Sequence, residues 1–478
     1  MIFTYTYQDL LKNNGSDEKL HNFIMSAIGQ HKASETYKWA VDGYNYIKQQ
    51  NTTIMNFQKF LYSISGKAVP DNYSANHKTA SNFFKRFVTQ KVNYLLANGI
   101  TFNEENTKER LGGWKFDRRM YEALYHAAIG EVSFLFWNVD KIEKVFPVTE
   151  FVPLWDEETG TLSAGIRFWQ LDNEKPMRIT LFELDGYTEF YQNEKKELEV
   201  MKPKRAYKLI KTGTAVDGVE SIVGENYAGF PVVPMYANME HQSELVGIKS
   251  EIDAYDLLKS GFCNDLDDNN QIFWILKNSN AMGEEDLAKF LDQLKRLRAT
   301  IMDDDGASAE PHTLEIPYQS RETYLTRLEN DLYYDSMTMN AKDITSGNVT
   351  ATAIRAAYDN LDQAAAEMRI CMENAIEQIL SLAGIDDQPK FKLNRISNDT
   401  ELTTNILAAA QYLDTQTILE KLPFVEEEEI EDIMDRLTEE ESERFQPVGE
   451  VENGEEEPSG QGEGEDGQVA TGDRGVSD

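Results

Sequence analysis

Between Ile354 and Leu382, apolar residues recur in steps of four and three without a break: Ile354, Tyr358, Leu361, Ala365, Met368, Met372, Ala375, Ile379 and Leu382. Only an α-helix brings residues so spaced onto one face. About 30 residues at a rise of ~1.5 Å predict a rod of ~45 Å carrying one continuous apolar seam. Gly384 supplies its stop.

The rest of the chain is read around that rod. The first hundred residues read as helical, with helices expected from Ser34 to about Gln50 and over Ala80–Asn98, and a further one over Phe116–Ala128. From Glu131 to about Asn238 the pattern changes to alternation, in runs such as Val132–Val139 and Arg178–Leu184, which predicts an antiparallel β region. The prolines of Phe230–Pro234 favour an exit or an edge strand there. Ser243–Leu266 returns to helical spacing, over about 24 residues or ~36 Å.

A compact insert follows, with strands expected at Gln271–Lys277, Thr300–Met302 and His312–Ile316 around a helix at Glu284–Arg298. A helix resumes from about Ser320 to Ser336. Beyond the long rod, a strand is expected at Lys390–Asn394, then helices at Thr400–Leu413, Asp414–Leu422 and Glu427–Glu443.

A chain of 478 residues is too long for one core, and its length suggests two to four domains. Hydrophobic content of 41% excludes disorder as the general state. The N-terminus has no signal-peptide pattern, and the longest apolar stretch, around Val132–Val139, is far below the ~20 residues needed to span a bilayer. Two cysteines, Cys263 and Cys371, make neither a disulfide framework nor a zinc site. A soluble, intracellular protein without cofactor is expected.

The formal charge is −36. Residues Glu426–Asp478 hold 21 acidic residues against 3 arginines, so half of the excess lies in about a ninth of the chain. That tail, Gly- and Glu-rich from Pro447 on, is expected to be disordered. The remainder has no basic surplus, which argues against tight binding of phosphates.

Catalytic signatures are missing. There is no phosphate loop, no HExxH and no nucleophile elbow, and the GxGxxG match at Gly462–Gly467 lies in the acidic tail without a strand before it. The six histidines, His21, His31, His77, His126, His241 and His312, are scattered. Asp265, Asp267 and Asp268 could hold a cation with Asp256, but a helix end and polar turn accounts for them more simply, and the Asp303–Asp305 run reads as a solvated turn. Met337–Asn348 stands apart. It is polar, lacks a period, contains nothing that closes a tight turn economically, and is long for a connection between two helices.

The order of these elements resembles the portal proteins of tailed bacteriophages, in particular the SPP1-like group. The resemblance is carried by Tyr37–Ile47, by Asn82–Gly99, by Ile248–Asp256 and by Gln416–Val425 with the glutamate run after it. It spans residues 20–445 approximately, and the succession of helix, small αβ insert, helix, polar loop and long helix supports it.

The resemblance implies an α+β portal fold that is a ring-forming subunit, usually twelve to a ring, at one capsid vertex. Residues 1–242 would be the β-rich wing with its helical start, 243–266 and 320–336 the two stem helices, and 267–319 the clip. Residues 337–348 would be the tunnel loop, 349–384 the long helix running from wing to crown, 385–446 the crown and 447–478 the acidic tail.

The resemblance further implies that the loop turns Thr338, Asn340, Lys342, Asp343, Thr345, Ser346, Gly347 and Asn348 toward DNA. Lys249, Glu251, Tyr255 and Lys259 would mark the stem, and Phe273, Trp274, Asp303, Asp304 and Asp305 the partner-facing clip. The implied partners are other copies of the chain, double-stranded DNA held transiently and without regard to sequence, the terminase large subunit, a head-to-tail adaptor, and the major capsid and scaffolding proteins. No membrane, metal or catalytic residue is implied. The location would be the virion, and the host cytoplasm during assembly.

A conduit must surround DNA without holding it, and an acidic chain meets that requirement. Two rivals are an acidic scaffolding protein, which the aromatic-rich β region opposes, and a nuclease using clustered aspartates, which no constellation compels.

Overall fold

Three capped helices begin the chain. α1 (Tyr7–Asn13), α2 (Asp17–Ala33) and α3 (Glu35–Ile47) start where the hydroxyls of Thr6, Ser16 and Ser34 accept the backbone N–H groups of Asp9, Lys19 and Tyr37. Each hydroxyl satisfies a donor that a helix start would otherwise leave orphaned, worth about 1 kcal/mol. α4 (Thr52–Asn56) and the hairpin of β1 (Phe60–Tyr62) and β2 (Ala68–Pro70) follow, then α5 (Phe83–Leu96), β3 (Ile100–Phe102), α6 (Glu105–Arg110) and α7 (Trp114–Gly130). The expectation of an all-helical first hundred residues is thereby corrected: β1, β2 and β3 have three residues each, too few to show a period in sequence.

This computed structural model describes residues 5–62, 67–71, 74–212, 221–268, 273–277, 308–312, 318–342, 351–395, 399–425 and 429–444. The chain divides into two compact units, Met1–Ser397 and Asn398–Asp478.

The β region is antiparallel, as the alternation predicts. Its strands are β4 (Val132–Trp137), β5 (Ile142–Pro147), β6 (Phe151–Trp155), β7 (Leu162–Trp169), β8 (Arg178–Glu183), β9 (Gly186–Gln192), β10 (Leu198–Arg205), β11 (Lys208–Thr212), β12 (Ser221–Glu225) and β13 (Val232–Tyr236). Strands β6 to β10 form one sheet in sequential order, and β13-β4-β5 form another. Pro234 sits in β13, an edge strand, where a missing N–H costs no ladder bond. β4 is buried at all six positions, where strict alternation would leave every second side chain wet.

The next elements in order are α8 (Lys249–Asp268), β14 (Phe273–Lys277), β15 (Ser308–His312), α9 (Tyr318–Asp335), α10 (Ala351–Ala383) and β16 (Pro389–Phe391). α10 is the predicted rod. Its 33 residues are ~50 Å long, and its seam is buried from Tyr358 to Leu380 against α5 and β13. Gly384 ends it at φ 65°, with the Ile385 N–H returning to Leu380 O at 3.0 Å. β16 then pairs with β3, Phe391 opposite Ile100.

The main core joins α3, α5, α7, α10 and the β13-β4-β5 sheet, while α1 and α2 cover the five-stranded sheet through a second core built on Leu10, Phe23, Ile24, Ile166 and Phe190. Gly43 lets α3 approach α7: a Cβ there would lie 2.6 Å from Ile129 O.

Two expected boundaries move. α8 begins at Lys249 rather than Ser243 because the Ser243 hydroxyl bonds Ile129 O at 2.6 Å and accepts the Leu245 N–H at 3.2 Å, which holds 243–248 in turns. β15 lies at Ser308–His312, ahead of the predicted His312–Ile316, of which 313–316 are outside the described residues. The predicted helix at 284–298 and strand at 300–302 are also outside them.

The second unit contains α11 (Asp399–Ala409), α12 (Thr415–Lys421) and α13 (Ile430–Arg444). α12 is capped by Asp414, whose carboxylate accepts the Thr417 N–H at 3.0 Å. The tail expected to be disordered is outside the described residues.

Candidate functional site

α8 and α9 form an antiparallel pair. Asp265, near the end of α8, is ion-paired with Arg321, near the start of α9. At the opposite end, burial and then the Asp335 and Asp331 carboxylates push the Glu251 carboxyl up to about 7. The pair is fastened to α5 by rings: Tyr255 meets Phe83 edge-on with centroids 5.0 Å apart, and Tyr333 meets Phe87 at 5.3 Å. Arg86 Nη1 donates to the Tyr333 hydroxyl at 2.6 Å.

One face of α8 is a polar ladder. Asp253, Asp256, Ser260, Asn264 and Asp267 follow one another at steps of three and four, and each holds a residue from the 46–81 stretch. Asp253 accepts from the hydroxyls of Tyr46 and Thr53, the latter at 2.7 Å. Asp256 accepts the Ser81 N–H at 2.8 Å and the Asn51 amide, Ser260 accepts the Thr79 N–H at 2.9 Å, and Asn264 accepts the His77 N–H at 2.6 Å. Asp267 pairs with the His77 ring. Asp256 is fully buried, and desolvation raises its pKa against the hydrogen bonds that lower it.

The connection after α9 is a built structure from its first residue. Met337 has φ 52°, its N–H returns to Tyr334 O and the Thr338 N–H to Tyr333 O, both at 3.0 Å, which closes the helix as a glycine normally would. This corrects the expectation that nothing here closes a tight turn. Ser336 and Thr338 share a hydroxyl bond of 2.7 Å. Met339 packs among Tyr94, Tyr358, Leu361 and Ala365, while its carbonyl accepts from Gln90 Nε2 at 3.0 Å. Asn340 Oδ1 accepts the Lys342 N–H at 3.1 Å, and Lys342 Nζ reaches Glu329 at 2.9 Å.

The residues singled out in the sequence are thereby sorted. Thr338 and Asn340 are 5% and 9% exposed, buried within this subunit beside Met339. Lys342 projects outward, with its side chain 74% exposed. Asp343, Thr345, Ser346, Gly347 and Asn348 are outside the described residues.

On α8, Lys249 is turned inward, 2.8 Å from Asp253 and over the Tyr46 ring at 5.2 Å. Glu251 and Tyr255 are half-buried, and Lys259 is exposed. Phe273 and Trp274 lie in β14, opposite His312 and Pro311 of β15; Asp303, Asp304 and Asp305 are outside the described residues. Asp256, Asp265 and Asp267 have three separate partners, and the described residues contain no group of three or more His, Cys, Asp or Glu placed to hold a metal. The ladder itself escaped the sequence reading. Its three-and-four spacing was there to be seen, but polar residues at that period also describe a solvated helix face.

Comparison with known proteins agrees with the resemblance read from the sequence. The family model described as "Phage portal protein, SPP1 Gp6-like" matches residues 35–443. A protein of Clostridium phage phiCD119 named "Portal protein" is 26% identical over 391 residues, covering 74% of this chain and 83% of that protein. The "Portal protein" of Bacillus phage SPP1 is 23% identical over 442 residues, covering 85% of this chain and 84% of that protein. Solved structures include "Neck of empty GTA particle computed with C6 symmetry" and "Neck of native GTA particle computed with C12 symmetry". They are 12% and 11% identical at TM-score 0.41, with 71% of this chain and 89% of theirs covered, a likeness too low to carry an argument.

Proposed function

Because the chain belongs to the SPP1 Gp6-like family of phage portal proteins, we propose that it assembles into a closed ring, of twelve copies as is usual for portals, at one vertex of the capsid. DNA passes through its centre during packaging and ejection. In this reading 1–242 is the wing, α8 and α9 are the stem, the segment carrying β14 and β15 is the clip, and the connection from Ser336 to α10 forms the tunnel loop. The clip meets the terminase large subunit first and the head-to-tail adaptor later, and the wing meets the major capsid and scaffolding proteins. The role is structural and involves no catalytic step. Among the described residues no helix is long and apolar enough to cross a membrane, and the family makes the chain a component of the virion.

The α8–α9 pair carries this reading. Leu266, Tyr318 and Tyr324 are 52%, 57% and 49% exposed on it. A two-helix hairpin cannot cover such side chains from within, but the next copy in a ring can, through a heterologous closing interface. The chain's charge of −36 keeps the conduit from gripping phosphates, and Lys342, the one cation between Met337 and Asn348 in sequence, is already tied to Glu329. Contact with the duplex is then chiefly steric, the ring of loops acting as a gasket while terminase supplies the force.

Electron microscopy of the purified chain tests the assembly, with end-on rings and a central hole expected. Monomers or open filaments at micromolar concentration would refute it. Shortening the connection between Lys342 and Ala351 tests the gasket: assembled particles should lose packaged DNA, and unchanged retention would remove the loop from the mechanism.

A further inference from the structure

Where α2, α3, β6 and β13 come together there is a cavity of about 70 Å³ that shares no residue with the α8–α9 pair. Its walls include the rings of Tyr5, Trp155 and Tyr236 and the side chains of Gln30 and Glu131. Glu131 is 7% exposed, yet its Oε1 is buried with no hydrogen-bond partner among the described residues. Gln30 Oε1 is in the same position. The Gln30 amide nitrogen donates to the Tyr5 hydroxyl at 3.1 Å, and that hydroxyl also bonds Ser26 Oγ at 2.7 Å, so the orientation of the amide is set.

The backbone adds a second sign. Glu131 has φ 83°, where an L side chain is strained. Strain of this kind persists where the surroundings enforce it, and it gathers at binding sites. The cavity thus presents two acceptors lacking donors, a carboxyl that can become anionic and three aromatic rings. Buried acceptors call for N–H or O–H donors, and aromatic faces attract cations. On the measure by which one water needs about 10–15 Å³, the cavity is several times larger, enough to admit a small head group.

We propose that this cavity is a binding site for an organic cation, taking the ammonium or guanidinium head group of a free amine or of a lysine or arginine side chain on a partner protein. Glu131 supplies the counter-charge, Gln30 Oε1 takes one N–H, and the rings enclose the rest of the head group. Burial holds the empty carboxyl above its ordinary range, with the Thr36 hydroxyl opposing that shift, and an arriving cation offsets the burial.

Calorimetric titration of the full chain, at constant ionic strength, tests the site with methylammonium, N-acetyl-arginine amide, an arginine-containing pentapeptide and sodium chloride. Saturable binding of the organic cations at one site per chain is expected, with about tenfold or greater weakening in Glu131→Gln, which loses the counter-charge but keeps the shape. Tighter binding of the pentapeptide than of the single amino-acid derivative assigns the site to a partner's side chain; equal binding assigns it to free amines. No saturable heat, or equal binding by Glu131→Gln, overturns the proposal. Should Glu131→Gln fail to fold, Gln30→Leu provides the same comparison with the carboxyl intact.

Discussion

The Asp256 carboxylate accepts the backbone N–H of Ser81 at 2.8 Å, with both residues buried. That bond ties the middle of α8 to the chain just before α5, and the Asn51 amide completes it from a third segment. A surface polar residue on a helix could be exchanged freely. This one has replaced water as the partner of two buried donors.

Asp256→Ala is therefore expected to leave the Ser81 N–H and the Asn51 amide without an acceptor, lowering stability by about 2–3 kcal/mol. Chemical denaturation should show a lower midpoint for this variant, and Asp256→Asn, which retains one acceptor oxygen, should lose less. Equal midpoints for wild type and Asp256→Ala would mean that the ladder does not hold α8.

Glu251 gives the helix pair a dependence on pH. Its folded pKa of about 7 lies above the ordinary carboxyl range, for reasons of burial and of Asp335 and Asp331 beside it. The stability it contributes is thus complete below about pH 4.3, its unfolded pKa, and is lost as pH rises through about 7. The melting temperature of wild type relative to Glu251→Gln should fall between pH 6 and pH 8. A difference that stays constant over that range would show that Glu251 does not titrate there.

Asp387 has the opposite sign. Its carboxylate accepts the N–H groups of Asn103 and Glu104, each at 3.1 Å, and the Thr107 hydroxyl at 2.6 Å, so a residue far along the chain caps the start of α6. Burial opposes ionisation, but these bonds together with the Gln388 N–H hold the pKa down to about 2. The contribution is present above the unfolded pKa and is lost as pH falls toward about 2. Asp387→Ala should cost about 1 kcal/mol at neutral pH, and melting curves of the two proteins should converge on acidification.

Gly165 lies in β7 where a Cβ would come within 2.0 Å of Phe151 Cζ. Phe151 cannot easily withdraw, since it stacks on Phe146 at 5.6 Å and lies 4.4 Å from the Phe134 ring centroid. Gly165→Ala is expected to cost about 1–3 kcal/mol by overpacking. Adding Phe151→Leu should recover part of the loss, a rescue that a purely backbone effect of the alanine would not permit.

How far the sequence could be read depended on whether a feature was local. α10 was legible from Ile354 to Leu382 because a helix writes its buried face into its own spacing. The β region announced itself by alternation, and Pro234 placed β13 at an edge. β1, β2 and β3 were missed because three residues contain no period. The start of α8 was misplaced because Ser243 answers to Ile129, more than a hundred positions away.

The same division runs through the candidate site. Local order alone determined that helices flank 336–350, that the connection is polar, and that the chain carries a large acidic excess, half of it in its last ninth. Tertiary structure decided which of those polar residues are free to face anything. Thr338 and Asn340 turn inward because Met339 between them is drawn into a pocket of Tyr94, Tyr358 and Leu361, residues supplied by α5 and α10. Likewise, five polar side chains of α8 became a ladder only when the 46–81 stretch was laid against them. Burial is a property of what arrives from elsewhere in the chain, and no spacing within one segment encodes it.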